Sequence, residues 1–342
     1  MIRKRSARLF IVSLVSLAAL LLSTAALASA ALTGAGSSVA GAVMPNWTNG
    51  FLIREGITAT YTSTGVEAGL QKLDSRAVDF AAVDAPLSAE QAAACNSCAQ
   101  IPWYLTGVDL AYRLKGVNKL NLSGPVIAAI FNGKITKWDD PKITALNPKA
   151  KLPATKISVV YPGEVSGQSW AFTSYLAKVA GKKNGGLTTA HFKAGTTVAG
   201  DRGVGAAIGA TEGGVGYVSA SYAGAAGLKA AAIENAAGSF VAPSVESFSA
   251  AGETVKSVPA GGIVEVIDPP GTAGKAYPLA TFGYAVVPHS GPQKGFVEQF
   301  LNYAVGPGST LGAAGEIAPL PKAVKSAART AIGALRNSWR VR

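Results

Sequence analysis

The chain has 342 residues, 49% hydrophobic and 15% charged, with 40 Gly, 18 Pro and a formal net charge of +12. That length accommodates two ordinary domains, and the lack of polar tracts and like-charge blocks excludes a disordered chain. The positive balance favours anionic partners through its field, but the Lys and Arg are scattered and carry no aromatic–basic stacking motif, which argues against nucleic acid.

Arg3-Lys-Arg and Arg8 precede an apolar run from Leu9 to Leu22, and Ala28-Ser29-Ala30 offers a small-x-small cleavage pattern. Residues 1–30 therefore read as a secretory signal peptide, with Ala31 the first mature residue. The apolar run is shorter than the ~20 residues of a membrane span; an uncleaved anchor is the alternative. Removing the four basic residues of this segment leaves 27 Lys and Arg against 19 Asp and Glu, a charge of +8. The mature chain is expected to be exported and soluble.

The Gly/Ser loop Leu32-Thr-Gly-Ala-Gly-Ser-Ser38 opens a helix with Val39, Val43, Trp47 and Phe51 on one stripe. A strand over 57–61 then leads through Ser63-Thr-Gly65 into a helix marked by Val66, Leu70 and Leu73. A short buried strand, 78–83, ends at Asp84-Ala-Pro-Leu87. A carboxylate at the carboxyl end of a strand in an open α/β sheet lies where ligands bind, although an Asp before Ala-Pro also serves as a turn residue. Cys95-Asn-Ser-Cys98 holds the only two cysteines. In an exported protein they read as one short disulfide. A redox pair is the alternative, and zinc is disfavoured because His191 and His289 sit in unrelated contexts.

Residues 108–114 predict a strand passing between domains, and 122–130 a helix. A strand at 157–160 runs into Tyr161-Pro-Gly-Glu-Val-Ser166-Gly167, where a helix begins with Phe172, Tyr175, Leu176 and Val179 on its buried face. Gly200-Asp-Arg-Gly203 opens a small-residue helix. A strand at 214–218, a helix at 222–232, a poorly defined Gly/Ser/Pro-rich stretch at 234–275, a strand at 282–287 and helices at 296–303 and 321–335 complete an α/β alternation. The basic tail from Lys322 reads as a solvated helix end. Ser38, Val66 and Ser166 thus stand at three loop-to-helix junctions, and the first turn of a helix presents unpaired N–H groups and the positive end of its dipole to an anion.

Leu32-Thr-Gly-Ala-Gly, the 78–87 stretch, Phe131-Asn-Gly-Lys-Ile-Thr-Lys-Trp-Asp-Asp140, Ser166-Gly167 with Phe172-Thr-Ser-Tyr-Leu176, Gly214-Val-Gly-Tyr-Val218 and Tyr277-Pro-Leu recur in this order in one family. The sequence resembles the periplasmic phosphate-binding proteins of high-affinity phosphate ABC importers over nearly the whole mature chain. The resemblance implies a two-lobed α/β periplasmic-binding-protein fold, with discontinuous lobes joined by a two-crossover hinge. Lobe I would take 31–112 with 284–342, and lobe II 113–283. It also implies capture of inorganic phosphate, or a related tetrahedral oxyanion, between the lobes. The loaded monomer would be presented in the periplasm to ABC permease membrane subunits, without cofactor, metal or nucleic acid. A divergent envelope or matrix protein on the same fold is the alternative. Catalysis is not expected, since no nucleophile–base–orienter set or Gly-x-Ser-x-Gly elbow is present.

Carried over by position, the ligand-binding set is Ser38, Val39, Val66, Asp84, Ser166, Gly167 and Gln168. Asp84 would accept the proton that phosphate keeps near neutrality, which turns away fully ionised sulfate. Val39 replaces an aromatic residue, Val66 a binding Ser, and Gln168 a Thr, while Pro162 stands where the family has its phosphate-binding Arg. Arg202 is expected to supply that missing charge and to pair with Glu164.

Overall fold

The computed structural model describes residues 31–95, 98–182, 185–259 and 262–337. The expected signal peptide lies outside the described residues.

Strand β1 (Leu32–Gly36) runs into α1 (Ser38–Glu55), where Val39, Val43, Trp47 and Phe51 are all buried, as the fourfold spacing predicts. Parallel strands flank β1 on both sides: β2 (Ala59–Ser63), which feeds α2 (Val66–Asp74), and β3 (Phe80–Val83). The parallel β1–β3 unit needs crossover helices, and it places the helix starts at one end of the sheet. After α3 (Ala89–Ala94), Cys95 and Cys98 form the expected disulfide.

Next comes β4 (Cys98–Tyr112), which carries the chain from one half of the molecule to the other. The second half holds β5 (Asn121–Leu122), α4 (Gly124–Phe131), α5 (Pro141–Leu146), β6 (Ser158–Pro162), α6 (Gly167–Val179), β7 (Thr196–Val198) and α7 (Gly200–Ala210). It continues through β8 (Gly214–Ser219), α8 (Ala220–Ala226), β9 (Lys229–Ala230), β10 (Ala232–Glu234), β11 (Phe240–Val241) and α9 (Val245–Gly252). The chain then returns through β12 (Ala280–Pro288), α10 (Lys294–Val305), a 3-10 segment (Pro307–Gly315) and α11 (Lys322–Asn337).

The main sheet has the order β2-β1-β3-β12-β4-β8-β6-β7, with β9 also on β4. Residues 98–107 of β4 pair antiparallel with β12, whereas 108–112 pair with β8. The two crossings lie side by side: the Val108 N–H donates to Leu279 O at 3.0 Å, and the Tyr277 hydroxyl donates to Val108 O at 2.9 Å. The partner change at 107/108 and the return at 279/280 fall a few residues before the expected boundaries at 112 and 283. Hydropathy cannot register such a change, because β4 is buried without a break from Ile101 to Tyr112.

Each half keeps its own aromatic core. Trp47, Phe80, Trp103 and Phe300 pack in the first; Phe131, Phe172, Phe192 and Tyr217 pack in the second, with Phe172 and Tyr217 stacked at 4.4 Å between centroids. Two expectations need correction. The helix predicted over 222–232 ends at Ala226, because Gly227 takes a left-handed conformation (φ 63°) and the chain turns back to pair with β4. The basic tail is not simply a solvated end, since α11 buries Val324, Ala328, Ile332 and Leu335. The Gly/Ser/Pro-rich stretch 234–275, in which the sequence defines no element, contains β11 and α9, the latter started by a Ser244–Ser247 capping box.

Asp109, on the crossing strand, is buried with Oδ1 unpartnered among the described residues. Burial, then the nearby Glu316 and Asp201 carboxylates, push its carboxyl from 3.8 up to about 8. A value raised on folding means that the native state holds the proton longer, so this group's contribution is most favourable below pH 4 and is lost as pH rises to about 8. The slope is about 1.4 kcal/mol per pH unit while the two states differ by one proton. Thermal melts of Asp109→Asn should therefore match wild type near pH 3.5 and exceed it by a margin that widens as pH rises to 8.5. A variant that melts lower than wild type at both pH values would refute this account.

Candidate functional site

Four helix N-termini converge on one cleft between the halves. Its walls are Ser37 and Ser38 before and at the start of α1, Gly65 and Val66 at α2, Val165, Ser166 and Gln168 at α6, and Gly200 and Asp201 at α7, with Asp84, Pro162 and Glu164 completing the lining. The enclosed space is about 80 Å³, far below the ~300–1,000 Å³ of sites for drug-sized ligands. A solute of a few heavy atoms fits it. The first N–H groups of each helix have no intrahelical acceptor, and each dipole adds roughly half a positive charge at its start. Such a set of donors suits an oxyanion.

Ser37 caps α1, its Oγ accepting from the N–H groups of Val39 (2.9 Å) and Ala40 (3.3 Å). The same hydroxyl donates to Asp84, lying 2.7 and 2.6 Å from its two oxygens, and the Tyr104 hydroxyl donates to Asp84 Oδ1 at 2.9 Å. Tyr61 holds the loop by donating to Ser37 O at 2.8 Å. Desolvation pushes the Asp84 carboxyl up to about 6 against these two hydrogen bonds, and the Asp201 charge adds to the rise. A carboxylate has about four acceptor sites, so Asp84 can still take a proton from a ligand.

In the other half, Ser166 caps α6 by accepting from Ser169 N–H at 3.1 Å. The Ser169 hydroxyl lies 2.8 Å from that of Tyr217, which ties the helix start to the aromatic core. Asp201 accepts from the Ser219 N–H (3.2 Å), the Ser219 hydroxyl and Gln168 Nε2 (3.4 Å). Its carboxyl is raised by burial, partly offset by Ser219, with Glu164 raising it further.

Of the residues predicted from sequence, Ser38, Val66, Asp84, Ser166 and Gln168 meet in the cleft. Gly167 lies just behind it, packed on Asp84. Val39 is buried with its N–H engaged by Ser37, so the free donors at α1 begin with Ser38. Arg202 is exposed and does not line the cleft; its neighbour Asp201 does. The expected Arg202–Glu164 pair is absent from the ion pairs among the described residues. Ser37 and Asp201 also line the cleft, beyond the residues expected from sequence. The signal for Asp201 was present: it precedes the buried Val204 by three residues and so shares its helix face.

The model of the PBP superfamily domain matches residues 23–307. The chain belongs to the PBP superfamily and, within it, to the PstS family. It is 36% identical over 242 residues to the phosphate-binding protein PstS of Pasteurella multocida, covering 69% of this chain and 70% of that protein. It is 32% identical over 298 residues to phosphate-binding protein PstS 3 of Mycobacterium tuberculosis, covering 82% and 80%. The match to PstS of Xylella fastidiosa is 34% over 228 residues, 65% of this chain, and spans only 62% of that relative's length. Among solved structures, the PBP-like fold is shared with PfluDING, a high-affinity periplasmic phosphate-binding protein bound with phosphate, at a TM-score of 0.71 and 24% identity over 87% of this chain and 93% of that one. The phosphate-binding protein of Stenotrophomonas maltophilia gives a TM-score of 0.65 at 22% identity, covering 88% and 93%. PstS-family membership accounts for the two-lobed α/β architecture. Among the described residues, no helix is long and apolar enough to cross a membrane.

Proposed function

We propose that this PstS-family chain captures inorganic phosphate, or a closely related tetrahedral oxyanion, between its two lobes and delivers it to the membrane subunits of an ABC importer. The observation that carries the proposal is the convergence of four helix N-termini on a space of about 80 Å³ that also contains the buried Asp84. A desolvated oxyanion needs many donors and few competing waters, and an acceptor carboxylate selects an oxyanion that still carries a proton. The role is capture and release by a monomer exported to the periplasm, with lobe I built around residues 31–112 and the C-terminal segment, and lobe II around the part between.

One observation favours a second reading: among the described residues, no basic side chain lines the cleft. A charge-assisted hydrogen bond contributes roughly 1.5–3 kcal/mol, so a divergent envelope protein of weak affinity would look similar. Calorimetric titration of residues 31–342 with phosphate, arsenate and sulfate separates the two. Saturable heat with phosphate and arsenate and none with sulfate supports capture for transport; no heat with any of the three at millimolar concentration rejects it.

A further inference from the structure

Three carboxylates face the same small space: Asp84 from the end of β3, Glu164 from the loop before α6, and Asp201 from the first turn of α7. Among the described residues, no cationic side chain lines the cleft beside them. Asp84 is approached by Ser37, Tyr104, Tyr61 and Asp201; Asp201 is approached by Ser219, Gln168, Glu164 and, from β4, Asp109. Arg202, next to Asp201, points to solvent. Among the described residues that line the cleft, positive potential comes from the four helix starts, and at α1 and α6 part of that is used by the Ser37 and Ser166 caps.

We infer that this cleft binds phosphate as its diprotonated monoanion, and that Asp201 and Glu164 are the specificity-determining residues that impose this form. The inference rests on the phosphate reading above. A dianion has one P–O–H to donate, and Asp84 takes it. Its remaining oxygens would then face the acceptor oxygens of Asp201 and Glu164 with no hydrogen between them, and a space of about 80 Å³ leaves little water to screen the repulsion. The monoanion carries half the charge and a second P–O–H, which one of the two lobe II carboxylates can accept. Glu164 Oε1 comes within 3.4 Å of where a Cβ on Gly200 would lie, so this carboxylate sits at the start of α7, beside Asp201. The two acidic groups therefore act on the same side of the bound ion.

The phosphate monoanion gives way to the dianion close to neutrality. Linkage then sets the sign: above that point the protein must recruit a proton with each ion, and affinity for total phosphate falls by up to about tenfold per pH unit. The test is calorimetric titration of wild type with inorganic phosphate at pH 6.5, 7.5 and 8.5, each in two buffers of different ionisation heat. The expected result is a Kd that weakens at least fivefold between pH 7.5 and 8.5, with about one proton taken up per ion at the higher pH. Glu164→Gln, at an exposed position that leaves the fold intact, should bind at least threefold tighter than wild type at pH 8.5, and Asp201→Asn should change in the same direction. Both variants should bind sulfate better than wild type does. A wild-type Kd that is flat from pH 6.5 to 8.5 overturns this inference while leaving the phosphate reading standing. So do two folded variants that bind no tighter than wild type at pH 8.5. Absence of phosphate binding at every pH overturns both.

Discussion

Replacing Gly167 with alanine is expected to weaken phosphate binding by two orders of magnitude or more while leaving the melting temperature little changed. Gly167 is the first residue of α6, and an added Cβ would come within 2.7 Å of both the carbonyl carbon and the oxygen of Asp84, and closer still to its Cβ. Neither partner can yield. Asp84 follows a strand buried along its whole length, and α6 is anchored by Phe172 and Tyr175 in the core of the other half. The remaining way to relieve the clash is to part the two halves about the 107/108 and 279/280 crossings. That withdraws the α6 and α7 donors from an ion seated on the α1 and α2 side. Hydrogen bonds weaken steeply beyond ~3.2 Å, and losing one or two charge-assisted bonds of roughly 1.5–3 kcal/mol each is about a hundredfold or more in Kd. The aromatic clusters around Trp103 and around Phe172 do not depend on the Gly167 contact, so the melt should barely move. Gly56→Ala serves as the control: this residue has open space around it, and its positive φ of 70° adds local strain far from the cleft. Calorimetry that finds Gly167→Ala as tight as wild type would mean that α6 does not close on Asp84 in the loaded protein.

The legible part of this site was the part written in local patterns. A Gly/Ser loop before an apolar helical stripe exposed the starts of α1 and α6, and the buried run at 78–83 exposed Asp84 as a strand-end carboxylate. What escaped depends on single-residue phase or on distant partners. Ser37 and Ser38 are both serines, and the helix begins one residue earlier than a motif match centred on Ser38 implies. Ser37 therefore becomes the cap and Asp84's donor, while Ser38 contributes backbone and hydroxyl to the cleft. No spacing rule connects Ser37 to a carboxylate 47 positions away. At α7 the choice between Asp201 and Arg202 is a rotation of about 100°. Val204 and Ile208 fix that rotation, but the expected need for a cation pulled the reading toward Arg202. The strands of two or three residues at β9 to β11 have too few residues for alternation to show. They form because Gly227 halts α8 and because β4 and β5 offer edges to pair with.

Asp84→Asn should abolish measurable phosphate binding and at the same time raise the stability of the ligand-free protein above pH 7. The two effects have one cause. Desolvation holds the Asp84 carboxyl at about 6 rather than 3.8 even with Ser37 and Tyr104 donating to it, so its ionised form is a net cost to the folded chain. The native state keeps the proton longer than the unfolded state. The group's contribution is therefore fully favourable below pH 4, declines between pH 4 and about 6, and stays low above that. The difference corresponds to at most ~3 kcal/mol at pH 7.5. Asn lacks the charge but cannot accept from Ser37 and Tyr104 at both side-chain atoms, which offsets part of the gain. A net increase of about 1 kcal/mol, or roughly 2–4 °C in melting temperature, is expected at pH 7.5, turning into a net loss of similar size at pH 4.5. Binding fails for a separate reason. The amide has one acceptor oxygen where the carboxylate has two, and its N–H₂ would face the ligand's own P–O–H donor. Melting curves at pH 4.5 and 7.5, run beside phosphate titrations, test both halves of the statement. A variant less stable than wild type at pH 7.5 would show that the Ser37 and Tyr104 hydrogen bonds outweigh the cost of burying the charge. A variant that still binds phosphate with wild-type affinity would remove Asp84 from the site. On the proposed function the carboxylate is kept at the expense of the fold, and a bound oxyanion that donates a proton to it would add a third partner to Ser37 and Tyr104.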